Sequence, residues 1–145
     1  MNESELPLTV VPRDADHLDE LIVEAIVARW NAPPIERSNG VVAMRFLTID
    51  LLISSDFDPP LIEVTGALVV EIADIEAAHF NANVLNTAFP SLKFAIEDAS
   101  LLVKTHVHAM PLVPDHLFIA LSSLTDLSRD LGERLVETFA GRPAR

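Results

Sequence analysis

Residues 74–110 read DIEAAHFNANVLNTAFPSLKFAIEDASLLVKTHVHAM, and the fold follows from how this stretch divides. Asp74 is a natural N-cap ahead of an apolar-periodic run, and Pro90 stops that run, so a helix fills the interval. Ile75, Ala78, Ala82, Leu85 and Phe89 recur at steps of three and four, a complete core-facing stripe. Glu76, His79, Asn83 and Asn86 line up beside it as a polar strip. Phe80 and Val84, flanked by Ala77 and Ala88, form a third strip, apolar and directed away from the core. Past the helix, Leu92–Ile96 and Leu101–His108 read as two strands joined by Glu97-Asp98-Ala99-Ser100, a hairpin-length connection.

The flanking sequence completes an α+β pattern. Upstream, Asp14 or Asp16 caps a helix that runs to about Trp30 and is stopped by Asn31 and the Pro33-Pro34 pair. Leu18, Leu21, Ile22, Ala25 and Ala28 form one apolar stripe of it, and Val23, Ile26 and Trp30 a second. A helix apolar over so much of its circumference is covered on more than one side, by other elements or by a second subunit. Asn39-Gly40 marks a turn. In the run VVAMRFLTIDLLISS, Val42, Met44 and Phe46 share one parity and Ile49, Leu51 and Ile53 the other. A β-bulge near Leu47–Thr48 puts both sets on one face; two successive strands fit as well. Residues 56–60 form a turn, and Leu61–Ile72 follows as a half-buried strand. Its inward residues are Ile62, Val64, Leu68, Val70 and Ile72, with Gly66 marking a bend or a close helix above it.

Downstream of Pro111 and Pro114, a last helix carries Leu117, Leu121, Leu124, Leu131, Leu135 and Phe139 on one face. Ser122, Asp126, Arg129, Asp130 and Glu133 face water. The expected order is α-β-β-(β)-α-β-β-α: an antiparallel sheet of about five strands with three helices packed on it. At 145 residues the chain is expected to form a single domain, 1–145, with tails at 1–12 and 141–145.

Composition narrows the function classes. Twenty-two acidic residues against 10 basic ones give a formal charge of −12. The bases are scattered, and with no positive patch neither nucleic acid nor an anionic membrane is an expected partner. There is no cysteine, which removes disulfides and thiol catalysis. No charged-then-apolar leader opens the sequence, and no apolar run approaches the roughly 20 residues of a membrane helix. A cytoplasmic protein is expected.

Catalytic signatures are missing. Four glycines, none close together, provide no phosphate loop, and no Gly-x-Ser-x-Gly elbow occurs. Glu76 and His79 have the Glu-x-x-His spacing of carboxylate-bridged metal bundles, but those need the motif twice. Asp56 and Asp58 sit in a turn, where they serve the backbone. His106 and His108 share one face of a strand; a metal site would need a third ligand, so solvent exposure is favoured and no cofactor or metal is expected. Asn83 and Asn86 are expected to satisfy backbone groups where the helix hands over to Leu92. The candidate interface residues are therefore the apolar ones: Phe80 and Val84, with Val23, Ile26 and Trp30. A two-fold homodimer is the most economical way to cover them.

The segment from about Ile75 to Phe139 resembles the YbjN-like proteins and the CesT-type secretion chaperones grouped with them. The resemblance is carried by the Asn-x-x-Asn helix (Asn83, Asn86), the strand Leu92-Lys93-Phe94-Ala95-Ile96, the acidic turn Glu97-Asp98, a second strand and a long last helix. It implies a non-enzymatic, often dimeric bacterial protein that binds peptide segments of a partner. The sequence departs from the family pattern in its longer first strand region and in the Pro111–Pro114 lead-in. Three functions remain open: a peptide- or protein-binding module, favoured; a small ligand- or metal-binding protein using the His106/His108 face; and a structural dimeric subunit.

Overall fold

The computed structural model describes residues 9–30, 36–38, 40–46 and 49–144. Asp14 starts the first helix, α1 (Ala15–Trp30), its carboxylate accepting from the His17 amide at 2.8 Å. His17 reaches back, its Nδ1 accepting from the Arg13 amide, so one orphan donor of the helix start is used and the residue before the cap is held as well. The strands are β1 (Glu36–Ser38), β2 (Val41–Phe46), β3 (Ile49–Phe57), β4 (Pro60–Val70), β5 (Lys93–Glu97), β6 (Ser100–His108) and β7 (Arg142–Pro143). Helix α2 (Ile75–Ala88) falls between β4 and β5, and α3 (Pro114–Phe139) between β6 and β7.

One antiparallel sheet of seven strands has the order β1-β2-β3-β4-β6-β5, with β7 beside β4. Seven strands replace the expected five or so because two short ones, β1 and β7, carry no alternating pattern of their own. The run from Val41 forms two strands: Val42 and Met44 on β2 are buried, as are Ile49, Leu51 and Ile53 on β3. The expected break at Leu47–Thr48 lies outside the described residues, as do Asn31, Pro33, Pro34 and Asn39.

The chain divides into two compact units. Unit 1 comprises Met1–Met44, Leu52–Val64 and His106–Ser122. In it, Leu18, Ile22, Ala25 and Ile26 form the buried face of α1. The Arg37 guanidinium on β1 meets the Asp19 carboxylate of α1 at 2.7 Å and ties that short edge strand down. Arg29 lies over the Phe118 ring, 5.1 Å from its centroid. Val10 and Leu112 exchange backbone hydrogen bonds of 2.7–2.8 Å, so the end of the stretch expected as an N-terminal tail is paired.

Unit 2 comprises Arg45–Leu51, Thr65–Thr105 and Ser123–Arg145. Gly66 is buried because a Cβ there would fall 2.6 Å from Cδ1 of Ile49; a neighbouring strand's side chain, not a helix, fills the space above it. The β5–β6 hairpin turns on Asp98 and Ala99, with φ of 51° and 59°, the left-handed pair of a two-residue I′-type connection. The Ala99 carbonyl accepts from the Ile72 amide at 2.9 Å, so the hairpin tip also holds the end of β4.

The end of α3 departs most from expectation. Ala140, not Gly141, takes the left-handed position (φ 51°) after the helix. Gly141 is needed for close approach: a Cβ there would sit 2.5 Å from both Cγ1 of Val69 and the carbonyl oxygen of Val70. Arg142 and Pro143, expected in the C-terminal tail, pair with Val70 and Val69. Val69, on whose Cγ1 Gly141 closes, is fully buried, while Val70, expected inward, is only half-buried.

Candidate functional site

Helix α2 is capped as its sequence indicates, the Asp74 carboxylate accepting from the Ala77 amide at 3.1 Å. Its buried residues are Ala78 and Ala82, small enough to seat the helix closely on β5. Leu85 and Phe89 are half-buried, and Ile75, at the start of the expected core stripe, is partly exposed. At 100° per residue, Phe80 and Val84 lie almost opposite Ala78 and Ala82. They are accordingly 68% and 53% exposed. Two large apolar side chains one turn apart on an outward helix face form a coherent contact strip.

The other expected interface residues separate. Ile26 is 0% exposed, since it lies one turn beyond Ile22 on the same face of α1, and it therefore belongs to the core of unit 1. Val23 is half-buried. The side chain of Trp30 lies outside the described residues.

The two asparagines also part ways. Asn86 is half-buried and clamps β5: its Nδ2 donates to the Phe94 carbonyl at 3.0 Å, and its Oδ1 accepts from the Phe94 amide at 2.7 Å. Phe94 pairs with Val103 three residues before the Glu97–Ser100 closure of the hairpin, so its backbone groups point away from β6. One primary amide thus stands in for a neighbouring strand. Asn83 is exposed and makes no such clamp.

His106 and His108 are both exposed. His106 Nε2 lies 3.1 Å from Glu63 Oε2, beside a hollow of about 210 Å³ lined by Ser54, Ser55, Asp56, Leu61, Glu63 and His106. His108 is not part of that lining, and the volume is below the roughly 300–1,000 Å³ of ordinary small-molecule sites. Among the described residues, no three His, Asp or Glu side chains gather to hold a metal ion.

A larger cleft, about 550 Å³, opens in unit 2 between the α2–β5 connection and α3. Phe89, Leu92, Leu127 and Leu131 supply its apolar surface, and Asp126 and Asp130 its acidic rim. Arg129 bridges the rim, at 3.0 Å from Asp126 Oδ1 and 3.1 Å from Asp130 Oδ1. The hydrogen bond and charge of Asp130, followed by the charge of Asp126, raise the Arg129 guanidinium above its ordinary pKa. Sequence reasoning misses this cleft because its residues look ordinary one at a time: Phe89 and Leu131 as core, Asp126 and Asp130 as solvated surface. The available signal is the offset of Asp126/Asp130 from Leu127/Leu131 by one position, which aligns an acidic row along an apolar one.

Comparison with known proteins bears on this geometry. The structure is similar to that of a chain in the HopA1–SchA chaperone–effector complex, with a TM-score of 0.64, 13% identity, and coverage of 84% of this chain and 99% of the other. It is also similar to a chain of the ExsC–ExsE complex, with a TM-score of 0.67, 12% identity, and coverage of 82% and 93%. At these identities the likeness establishes the fold alone. A search of curated proteins gives no significant match. The family profile TY-Chap1 matches residues 16–145, from the first turn of α1 through β7. With the three helices, the antiparallel sheet and nearly the whole chain accounted for, the protein belongs to the TY-Chap1 family, the T3SS (YopN, CesT) and YbjN peptide-binding chaperones.

Proposed function

We propose that the protein is a cytoplasmic chaperone-type module that binds a segment of a partner protein, acts by contact and not by catalysis, and works as a homodimer joined through α2. The observation that carries the reading is the extent of the family match: residues 16–145 are the peptide-binding chaperone unit itself. The similar structure of a chaperone–effector complex supports a protein partner. In such a module, main-chain hydrogen bonds or an apolar groove provide affinity, and side-chain pockets provide selectivity. An array of overlapping peptides, probed with the purified protein at moderate salt, is expected to retain it on a subset of spots. Uniformly blank spots would remove the peptide-binding reading.

The Phe80/Val84 strip supports the homodimer. A two-fold axis beside α2 buries the strip against its own copy, so each side chain counts twice. Full burial of a side chain of this kind is worth about 1.5–3 kcal/mol. Phe80→Glu places like charges across the axis and is expected to convert a dimer to a monomer in sedimentation velocity. Because Phe80 is exposed within the chain, the thermal melt of the variant monomer should match that of wild type diluted below its dissociation constant. A wild-type protein that sediments as a monomer at high concentration, or a Phe80→Glu variant that stays dimeric, would exclude this contact.

A further inference from the structure

The cleft in unit 2 has a composition that selects a ligand class. Its apolar surface comes from Phe89 and Leu92 on one side and Leu127 and Leu131 of α3 on the other. Its rim is acidic. Asp126 and Asp130 have side chains more than half exposed, and Arg129 engages Oδ1 of each. Two carboxylates against one guanidinium leave the rim net negative, on a chain whose formal charge is −12. An anionic ligand is repelled there. At about 550 Å³, the volume suits an anchoring side chain with its neighbours.

We propose that this cleft is a recognition site for a cationic, apolar peptide segment: a Leu-, Met- or Phe-type side chain enters between Leu92 and Leu131, and a Lys or Arg beside it engages Asp126 and Asp130. The inference rests on the peptide-binding reading and adds the site and the chemistry of the segment. An apolar anchor in a pocket contributes most of the affinity in such contacts, while the charged rim sets orientation and association rate. Arg129 has a part in this arrangement: it holds the two carboxylates in place while cancelling only half of their charge.

The test is selection of a phage-displayed random 12-residue library on the full chain. The expected result is enrichment of peptides that place Lys or Arg within a few positions of a large apolar residue. A synthetic copy of an enriched peptide should bind at least tenfold more weakly to the double variant Asp126→Asn/Asp130→Asn and to Leu131→Glu. Its affinity should also fall as NaCl rises from low to high concentration. Glu133→Gln/Glu137→Gln removes the same charge elsewhere on α3 and should change binding by less than twofold. Circular dichroism confirms that each variant is folded, and the exposed aspartates provide a variant with little structural risk.

Enriched peptides that lack basic residues, or that bind all variants alike, would overturn the cleft while leaving the peptide-binding reading intact. Equal weakening by the Glu133/Glu137 control would reduce the effect to general charge attraction and likewise overturn it. No enrichment at all would remove the cleft and the peptide-binding reading together.

Discussion

Replacing Gly141 with alanine is expected to lower the stability of the protein by about 3 kcal/mol, at the upper end of what overpacking costs. The added methyl would fall 2.5 Å from the Val69 Cγ1 and from the Val70 carbonyl oxygen. A flexible side-chain tip can swing aside; a carbonyl in the β4–β7 ladder cannot do so without breaking the pairing of Val69 with Pro143 and Val70 with Arg142. The damage should therefore extend to the hydrogen bond from the Ala144 amide to the Leu68 carbonyl, 3.4 Å in the native fold. Urea denaturation checks this: the midpoint should fall with the slope unchanged. Gly132→Ala, inside α3, provides the contrast. Nothing lies within 4 Å of a Cβ at that position, so alanine should raise stability by up to about 1 kcal/mol through helix propensity. A Gly141→Ala variant as stable as wild type would show that the end of α3 does not lie against β4.

Asn86→Ala is the second large effect, expected to cost about 1–3 kcal/mol. The substitution strips partners from two backbone groups at once, the amide and the carbonyl of Phe94. Leaving a buried donor or acceptor unsatisfied costs about 1–3 kcal/mol, well above the net value of an ordinary hydrogen bond. The better helix propensity of alanine returns only about 0.7 kcal/mol. Asn86→Asp should not rescue the fold: its carboxylate can accept from the Phe94 amide, but it cannot donate to the Phe94 carbonyl. Asn83→Ala, three residues earlier on an exposed position, should be neutral or slightly stabilising. Hydrogen exchange locates the effect: the Phe94 amide should lose protection in Asn86→Ala and keep it in Asn83→Ala. Equal protection in both variants would mean that water or another group replaces the clamp at no loss.

These two positions mark the boundary of what can be read from residues alone. The α2 helix was legible from Asp74 to its proline stop, and the hairpin from its spacing, because caps, prolines and alternation act locally. The outward strip of Phe80 and Val84 was legible because a helix has one core face and those residues are not on it. Asn83 and Asn86 carry the same local signal, and only tertiary placement separates a clamp from a surface amide. Ile26 reads as part of a second stripe of α1, whereas the turn from Ile22 to Ile26 makes them one face, and unit 1 covers it. Strand β7 was hidden because Gly141-Arg142-Pro143 has the chemistry of a helix stop. The residues after a stop can still find a ladder when a glycine lets two backbones meet. The cleft was the least legible part, since its apolar and acidic members come from separate segments, Phe89–Leu92 and Ser123–Leu131, brought together by the fold of unit 2.

The Asn86 clamp has a consequence for the protein in concentrated solution. Strand β5 ends the sheet, and an uncovered terminal strand is a template on which identical molecules can add end on end into fibrils. At Phe94 both template groups are already occupied by a side chain of the same molecule. A peptide-binding chaperone needs some means of not polymerising with itself, and here a single amide provides one at the second residue of that strand.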